Sequence, residues 1–209
     1  MMVVLLSGGL DSTVALAHVL QKTDRVLALT IDYGQRHQRE IQSAQRIAKF
    51  YNVEHLLVNL DRRLFLGNPL VGKSGEIPKI DYSDIRGLSP LYVPFRNGIF
   101  VSLAAAVCLQ TYKSGSVVVA WHLSHEGTAS YPDTSINFFQ TLNSTLLEGT
   151  DGRIDLFAPF LLETKSQIVE RGRKLKVPFD LTWSCYDGGD FPCRQCPTCR
   201  ERLIALGGN

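Results

Sequence analysis

The stretch Val4-Leu5-Leu6-Ser7-Gly8-Gly9-Leu10-Asp11-Ser12-Thr13 constrains this chain more than any other. An apolar strand runs directly into Ser-Gly-Gly-x-Asp-Ser, and a helical pattern opens behind it. A strand–turn–helix of that kind aims backbone N–H groups, hydroxyls and a helix N-terminus at one small volume, which suits a pyrophosphate. Gly8 and Gly9 let the backbone approach an anion closely, and either tolerates positive φ. Ser7, Ser12 and Thr13 offer O–H donors, while Asp11 is placed to cap the helix and to hold Mg²⁺ beside phosphates. A bare Ser-Gly-Gly reads as an ordinary glycine turn with an Asp/Ser cap. Strand, double glycine, Asp-Ser and helix in register favour anion binding.

The rest of the chain supports an α/β reading. Apolar Met2–Leu6, Arg25–Ile31 and Glu54–Val58 read as strands, with helices over Ser12–Gln21 and Gln38–Tyr51 between them. Further helices are expected at Arg96–Tyr112, Ser135–Leu147 and Thr164–Leu175, with strands at Ser116–Trp121 and Ile154–Phe157. Regular alternation implies βαβ crossovers and a doubly wound parallel sheet, whose ligands bind beyond the carboxyl ends of the strands. Leu60–Leu91 differs: it is rich in Gly and Pro without clear period, and reads as a lid or interface loop. His122–Ser130 reads as a polar loop. The expected division is an α/β domain over 1–180 and a small C-terminal metal-binding segment over 181–209 packed on it.

Composition narrows the function classes. At 44% hydrophobic and a net charge of +2, the 209-residue chain has a good core and no charge excess that would by itself signal nucleic acid or membrane. The N-terminus has no basic region before its short apolar run, and Ile99–Leu109 is too short to span a bilayer, so a cytoplasmic protein with reduced thiols is expected. Four of the five cysteines, Cys185, Cys193, Cys196 and Cys199, follow the spacing C-x₇-C-x₂-C-x₂-C. Four thiolates that close suit tetrahedral Zn²⁺, and four protein ligands leave no open position, so the metal would be structural. Bystander thiols, a redox pair and an iron–sulfur cluster are the competing readings; ligand number and spacing favour zinc. Cys108 falls in an apolar helix and is expected in the core.

Other polar groups cluster at predicted strand and helix ends. Asp32-Tyr33-Gly34-Gln35-Arg36-His37 stands at a strand's carboxyl edge, as either a polar turn or part of a site. Arg96 and Asn97 open a helix, where Arg can clamp an oxyanion bidentately. Tyr131 and Asp133 flank Pro132; the ring can stack on a flat heterocycle and the carboxylate can accept from ring N–H groups, although taken alone a Pro turn with an Asp N-cap is the favoured reading. Lys165 opens a later helix, as a surface lysine or as a neutraliser of a departing phosphate. His122 and His125, with Glu126 beside them, lie on a loop without a further compatible neighbour and do not make a convincing metal site. No hydrolase elbow or glutaminase cysteine is visible, so an amidating enzyme built this way would use free ammonia or an amine.

These blocks, in this order and over nearly the whole chain, resemble the 7-cyano-7-deazaguanine synthase family of the PP-loop ATP pyrophosphatases, which act in queuosine and archaeosine biosynthesis. The first loop is common to many PP-loop enzymes; Asp32–His37 together with the cysteine spacing is more specific. The resemblance implies that Leu6, Ser7, Gly8, Gly9, Leu10, Asp11, Ser12, Thr13, Asp32, Arg36 and His37 hold ATP with Mg²⁺. It implies that Lys165, Arg96 and Asp11 serve catalysis, and that Arg96, Asn97, Tyr131 and Asp133 bind a 7-deazaguanine carboxylic acid. An ATP-dependent ligase follows, forming acyl-adenylate, then amide with ammonia, then nitrile, in a homodimer. The chain departs from the family where Glu126–Ser130 precede Tyr131, where Thr134 replaces a cysteine, and around Ala120-Trp121-His122. Those departures keep open a paralogue that stops at the amide or joins the acid to a protein or other amine. A PP-loop tRNA-modifying or nucleic-acid-binding protein, with Arg194, Arg200 and Arg202 on phosphates, is a further alternative.

Overall fold

A computed structural model describes residues 1–72, 75–122 and 131–208. Five parallel strands, β1 (Met2–Leu5), β2 (Val26–Asp32), β3 (Glu54–Asn59), β4 (Gly115–Val118) and β5 (Ile154–Phe157), form one sheet in the order β3-β2-β1-β4-β5. Val4 pairs with Ala28 on one side and Val118 on the other, so β1 is central. Strand order reverses across β1 and β4, and a crevice opens at such a switch point beyond the strand ends.

The helices are α1 (Leu10–Leu20), α2 (Arg39–Phe50), α3 (Arg96–Tyr112), α4 (Ile136–Gly149), α5 (Lys165–Lys174) and α6 (Pro197–Leu206). Alternate strand residues feed opposite faces, because side chains of a strand alternate. Val3, Leu29 and Val117 pack with Val101, Ala104 and Cys108 of α3 and Leu142 and Leu146 of α4. Val4, Ala28 and Val118 pack with Leu16 of α1 and Ala44 and Ile47 of α2. Cys108 is fully buried in the first of these cores. On the second face α1 also packs against α5, where Val14 and Ala17 meet Phe160, Ile168 and Val169.

One expectation needs correction. Helix α1 begins at Leu10 rather than Ser12, and its N-cap is the extended backbone of Gly9, so Asp11 sits in the first turn and does not cap. The segment expected as a lid or interface loop, Leu60–Leu91, is pinned down where it is described. Phe65, Leu70, Val71, Ile77 and Leu91 are buried together with Tyr33 and Cys185, Cys196 and Cys199. Arg36 N donates to Leu70 O at 3.0 Å and Gly72 N to Gly34 O at 2.8 Å. Its apolar residues show no period because they pack on the sulfur cluster, Tyr33 and the start of α3 rather than along one helix or sheet face. Of the expected polar loop, residues 123–130 lie outside the described residues, and so do His125, Glu126 and the Glu126–Ser130 departures. Among the described residues no helix is long and apolar enough to cross a membrane.

Candidate active site

The loop after β1 folds back on itself. Ser7 and Ser12 hydroxyls share a hydrogen bond at 3.0 Å, Gly9 N donates to Ser7 Oγ at 3.1 Å, and Thr13 Oγ1 donates to Gly9 O at 2.7 Å. Gly8 takes φ +87°, and a Cβ there would lie 2.1 Å from Glu40 O and 2.7 Å from Ala44 N. Glycine therefore lets the loop press onto the first turns of α2. Leu6, Ser7, Gly9, Leu10, Asp11 and Ser12 line a cavity of about 290 Å³ at the carboxyl edge of β1. Thr13 is fully buried behind them, and Gly8 faces α2.

Asp11 and Lys165 meet across that cavity. Lys165 Nζ lies 2.5 Å from Asp11 Oδ2 and 3.5 Å from Glu201 Oε2, and His122 Nε2 lies 3.7 Å from the same Asp11 oxygen. Burial alone would raise the Asp11 pKa; the Lys165 and His122 charges outweigh it and hold the carboxyl below the ordinary value. Burial would lower the Lys165 pKa, but Asp11 and Glu201 raise it above the ordinary lysine value. The pair is thus ionised at neutral pH.

The opposite wall comes from α3. Arg96 Nη1 donates to Tyr33 OH at 3.1 Å, and the guanidinium lies 5.5 Å from the Tyr33 ring centre and 5.7 Å from that of Phe100. Burial opposes its charge, while Tyr33 and Tyr186 more than offset this and raise its pKa. Asn97 lines the cavity, and its N–H donates to Asp133 Oδ2 at 3.1 Å. Asp133 is buried, and burial raises its carboxyl above the ordinary value despite that bond. It follows Pro132 in a short 3₁₀ helix, while Ser135 caps α4. Tyr131 lies behind this wall, accepting from Ser89 Oγ at 3.2 Å and meeting the Tyr82 and Tyr92 rings edgewise or tilted.

Within Asp32–His37 the residues separate. Asp32 Oδ1 accepts from Gly34 N at 2.9 Å, and Arg36 Nη1 donates to the carbonyls of Pro69 and Gly75 at 3.4 and 3.1 Å. Both hold the turn and the pinned segment rather than line the cavity. Gln35 and His37 do line it. His37 is 2% exposed and its Nε2 lies 3.0 Å from Glu40 Oε2. Among the described residues, five buried side-chain polar atoms lack a partner: Asp11 Oδ1, His37 Nδ1, Arg96 Nε, Asp133 Oδ1 and Tyr51 OH. Four of the five belong to this site, where a polar ligand is the natural partner.

The sulfur atoms of Cys185, Cys193, Cys196 and Cys199 lie within 4.8 Å of one another. Tetrahedral thiolate ligation at about 2.3 Å needs sulfurs about 3.8 Å apart, so the cluster can hold a metal ion after a small contraction. Cys193 N donates to Cys185 Sγ and Cys196 N to Cys193 Sγ, both at 3.3 Å, bonds that stabilise thiolate ligands. The segment does more than brace the C-terminus. Trp183, Ser184, Tyr186, Thr198 and Glu201 form part of the cavity wall. Sequence reasoning missed these, along with Glu40 and Phe100. Their signals were weak: Trp183 and Tyr186 flank Cys185, Glu201 stands two residues past Cys199, and Glu40 three past His37.

Comparison with known proteins agrees with the geometry. The model of the family described as queuosine biosynthesis protein QueC matches residues 1–208. The 7-cyano-7-deazaguanine synthase of Thermoplasma volcanium is 39% identical over 206 residues, covering 96% of this chain and 84% of that protein. That of Archaeoglobus fulgidus is 40% identical over 210 residues, covering 99% and 86%. Among solved structures, NMN synthetase from Francisella tularensis matches 100% of this chain and 77% of its own at TM-score 0.54 and 20% identity. A 4-thiouridine synthetase in complex with RNA and ATP matches 97% of this chain and 49% of its own at TM-score 0.54 and 16% identity. At such identities the structural likeness speaks to the fold alone. A family match that spans the anion loop, the cavity walls and all four clustered cysteines makes this chain a member of the queuosine biosynthesis protein QueC family.

Proposed function

We propose that this chain uses ATP and ammonia to convert 7-carboxy-7-deazaguanine to 7-cyano-7-deazaguanine. The observation that carries the reading is one cavity holding the Ser7–Ser12 anion loop, the Asp11–Lys165 pair and Arg96 together. The relatives' names supply the product class.

In this reading a carboxylate oxygen of the acid attacks the α-phosphorus of ATP and pyrophosphate leaves. Ammonia attacks the acyl carbon; AMP leaves and one proton is lost, giving the amide. The amide oxygen attacks the α-phosphorus of a second ATP and pyrophosphate leaves; loss of AMP, which carries away the amide oxygen, and of both protons from nitrogen gives the nitrile. Ser7, Gly9 and Ser12 turn their donors from one another to the β- and γ-phosphates. Lys165 stabilises charge on the departing pyrophosphate, and Arg96 with Asn97 orients the acid. Leu6 and Leu10 wall the nucleotide; Asp32, Arg36 and Thr13 keep the loop and turn in place. Asp133, whose Oδ1 has no partner, reads the deazaguanine once it seats against Asn97, and Tyr131 supports that wall from behind. Asp11 Oδ1, which has no partner, is the oxygen available to Mg²⁺, whose charge would further neutralise the phosphates. Zn²⁺ suits the four sulfurs better than a cubane cluster, whose ligands bind separate irons and stand farther apart.

Residues 1–180 then form the α/β domain with the anion loop, and 181–209 the metal segment packed on it, which completes the cavity wall. The reading also carries a cytoplasmic homodimer with ammonia as nitrogen donor; exposed Leu64, Leu66 and Leu88 on the Leu60–Leu91 segment are surface that a second subunit would cover. Incubation with ATP, ammonia and the acid tests the chemistry by mass spectrometry. Nitrile with two AMP and two pyrophosphate per turnover is expected. Release of ADP in place of AMP overturns it, and accumulation of amide identifies the paralogue.

A further inference from the structure

Lys165 occupies an electrostatically awkward place. It is the first residue of α5, so the helix dipole opposes its charge, and its side chain is only 14% exposed. A largely buried ammonium needs a carboxylate partner. Asp11 is the nearer partner at 2.5 Å, yet Asp11 belongs to the anion loop and carries an unpartnered oxygen there. A phosphate-bound cation that engaged Asp11 would share its charge and weaken its hold on Lys165. Glu201 approaches from a different element, 3.5 Å from Nζ and 18% exposed, and lies outside the loop.

The frame that presents Glu201 is tied at several points. Cys196 caps α6 and Cys199 lies in its first turn, so metal ligation would fix the start of the helix. Arg202 donates to Thr182 Oγ1 at 2.6 Å, to Ser184 Oγ at 3.3 Å and to Phe179 O at 2.7 Å. Arg173 of α5 donates to Leu206 O at 2.8 Å, joining the two helices that carry Lys165 and Glu201.

We propose that Glu201 is a positioning residue, which keeps Lys165 aimed into the cavity after the nucleotide has engaged Asp11. This deepens the ligase reading and rests on it. The test uses the full-length, metal-loaded protein and its Glu201→Gln and Glu201→Asp variants. Acid-dependent ATP–pyrophosphate exchange, steady-state kcat and KM, metal content and Tm are measured for each. Glu201→Gln is expected to lower kcat for exchange by about 10- to 100-fold with KM for the acid, metal content and Tm unchanged, and Glu201→Asp to recover much of the rate. Wild-type kcat in Glu201→Gln overturns the proposal. A loss that follows the metal content or the folded fraction also overturns it, because Glu201 would then be structural. Absence of exchange in the wild type overturns the ligase reading itself, and with it this inference.

Discussion

Single positions carry much of the site's geometry. Gly8 is held at φ +87° with the Glu40 carbonyl where a Cβ would stand, so no rotation of a side chain relieves a substitution. Gly8→Ala is expected to destabilise by about 1–3 kcal/mol and to displace the anion loop, read as a lower denaturation midpoint with loss of nucleotide binding. Lys165→Ala should abolish pyrophosphate exchange by removing the cation beside the leaving group, with a loss on the order of 10²–10³-fold in kcat. The Asp11–Lys165 pair also fixes a pH dependence. The lowered Asp11 pKa means its stabilisation is complete above about 3.9, the ordinary value, and is lost as pH falls through the folded value. The raised Lys165 pKa keeps its contribution complete below the ordinary lysine value and loses it as pH rises through the folded value. The stability deficit of Asp11→Asn should therefore be flat from about pH 6 to 9 and shrink below about pH 4, measured by urea denaturation at each pH.

At the scale of elements, the cysteine segment and the pinned Leu60–Leu91 segment form one unit. Cys185, Cys196 and Cys199 share a buried cluster with Phe65, Leu70 and Val71, so the metal site is packed between the C-terminal segment and the loop. Cys196→Ser should release both: metal content falls, Trp183 fluorescence shifts as its environment opens, and activity is lost with the cavity wall. Retained activity in a metal-free variant would show that the wall stands without the metal. Helix α5 begins with a reciprocal cap, in which Thr164 Oγ1 accepts from Gln167 N and Gln167 Oε1 accepts from Thr164 N. Thr164→Ala should cost about 1 kcal/mol and, because Lys165 follows immediately, lower kcat more than a cap elsewhere would.

Across the whole molecule, the cavity joins pieces far apart in sequence: the loop after β1, the start of α3 and the segment from Trp183 to Glu201. A nucleotide that touches all three should tighten them together. At a hundredfold excess over Kd, ATP is expected to stabilise by about 2.7 kcal/mol, a rise in Tm of about 5–10 °C. Hydrogen exchange should slow both in the Ser7–Thr13 loop and around Trp183–Glu201; protection confined to the first would separate the C-terminal segment from the nucleotide site.

What the sequence determined by itself was whatever local chemistry specifies. Alternating apolar runs specified a parallel sheet, glycines beside Asp-Ser marked an anion loop, and close-spaced thiols marked a metal cluster; the observed strand order and sulfur geometry agree. Arg96 at the head of α3 and Lys165 at the head of α5 were legible because helix ends follow from periodicity. Only the tertiary structure decided which of Asp32–His37 reach the cavity. In a tight turn neighbouring side chains point in different directions: His37 faces inward while Asp32 and Arg36 bind backbone. It alone brought Glu40, Trp183, Tyr186 and Glu201 to the site, because contacts between distant segments depend on how sheet, loop and sulfur cluster pack, and no local pattern records that packing.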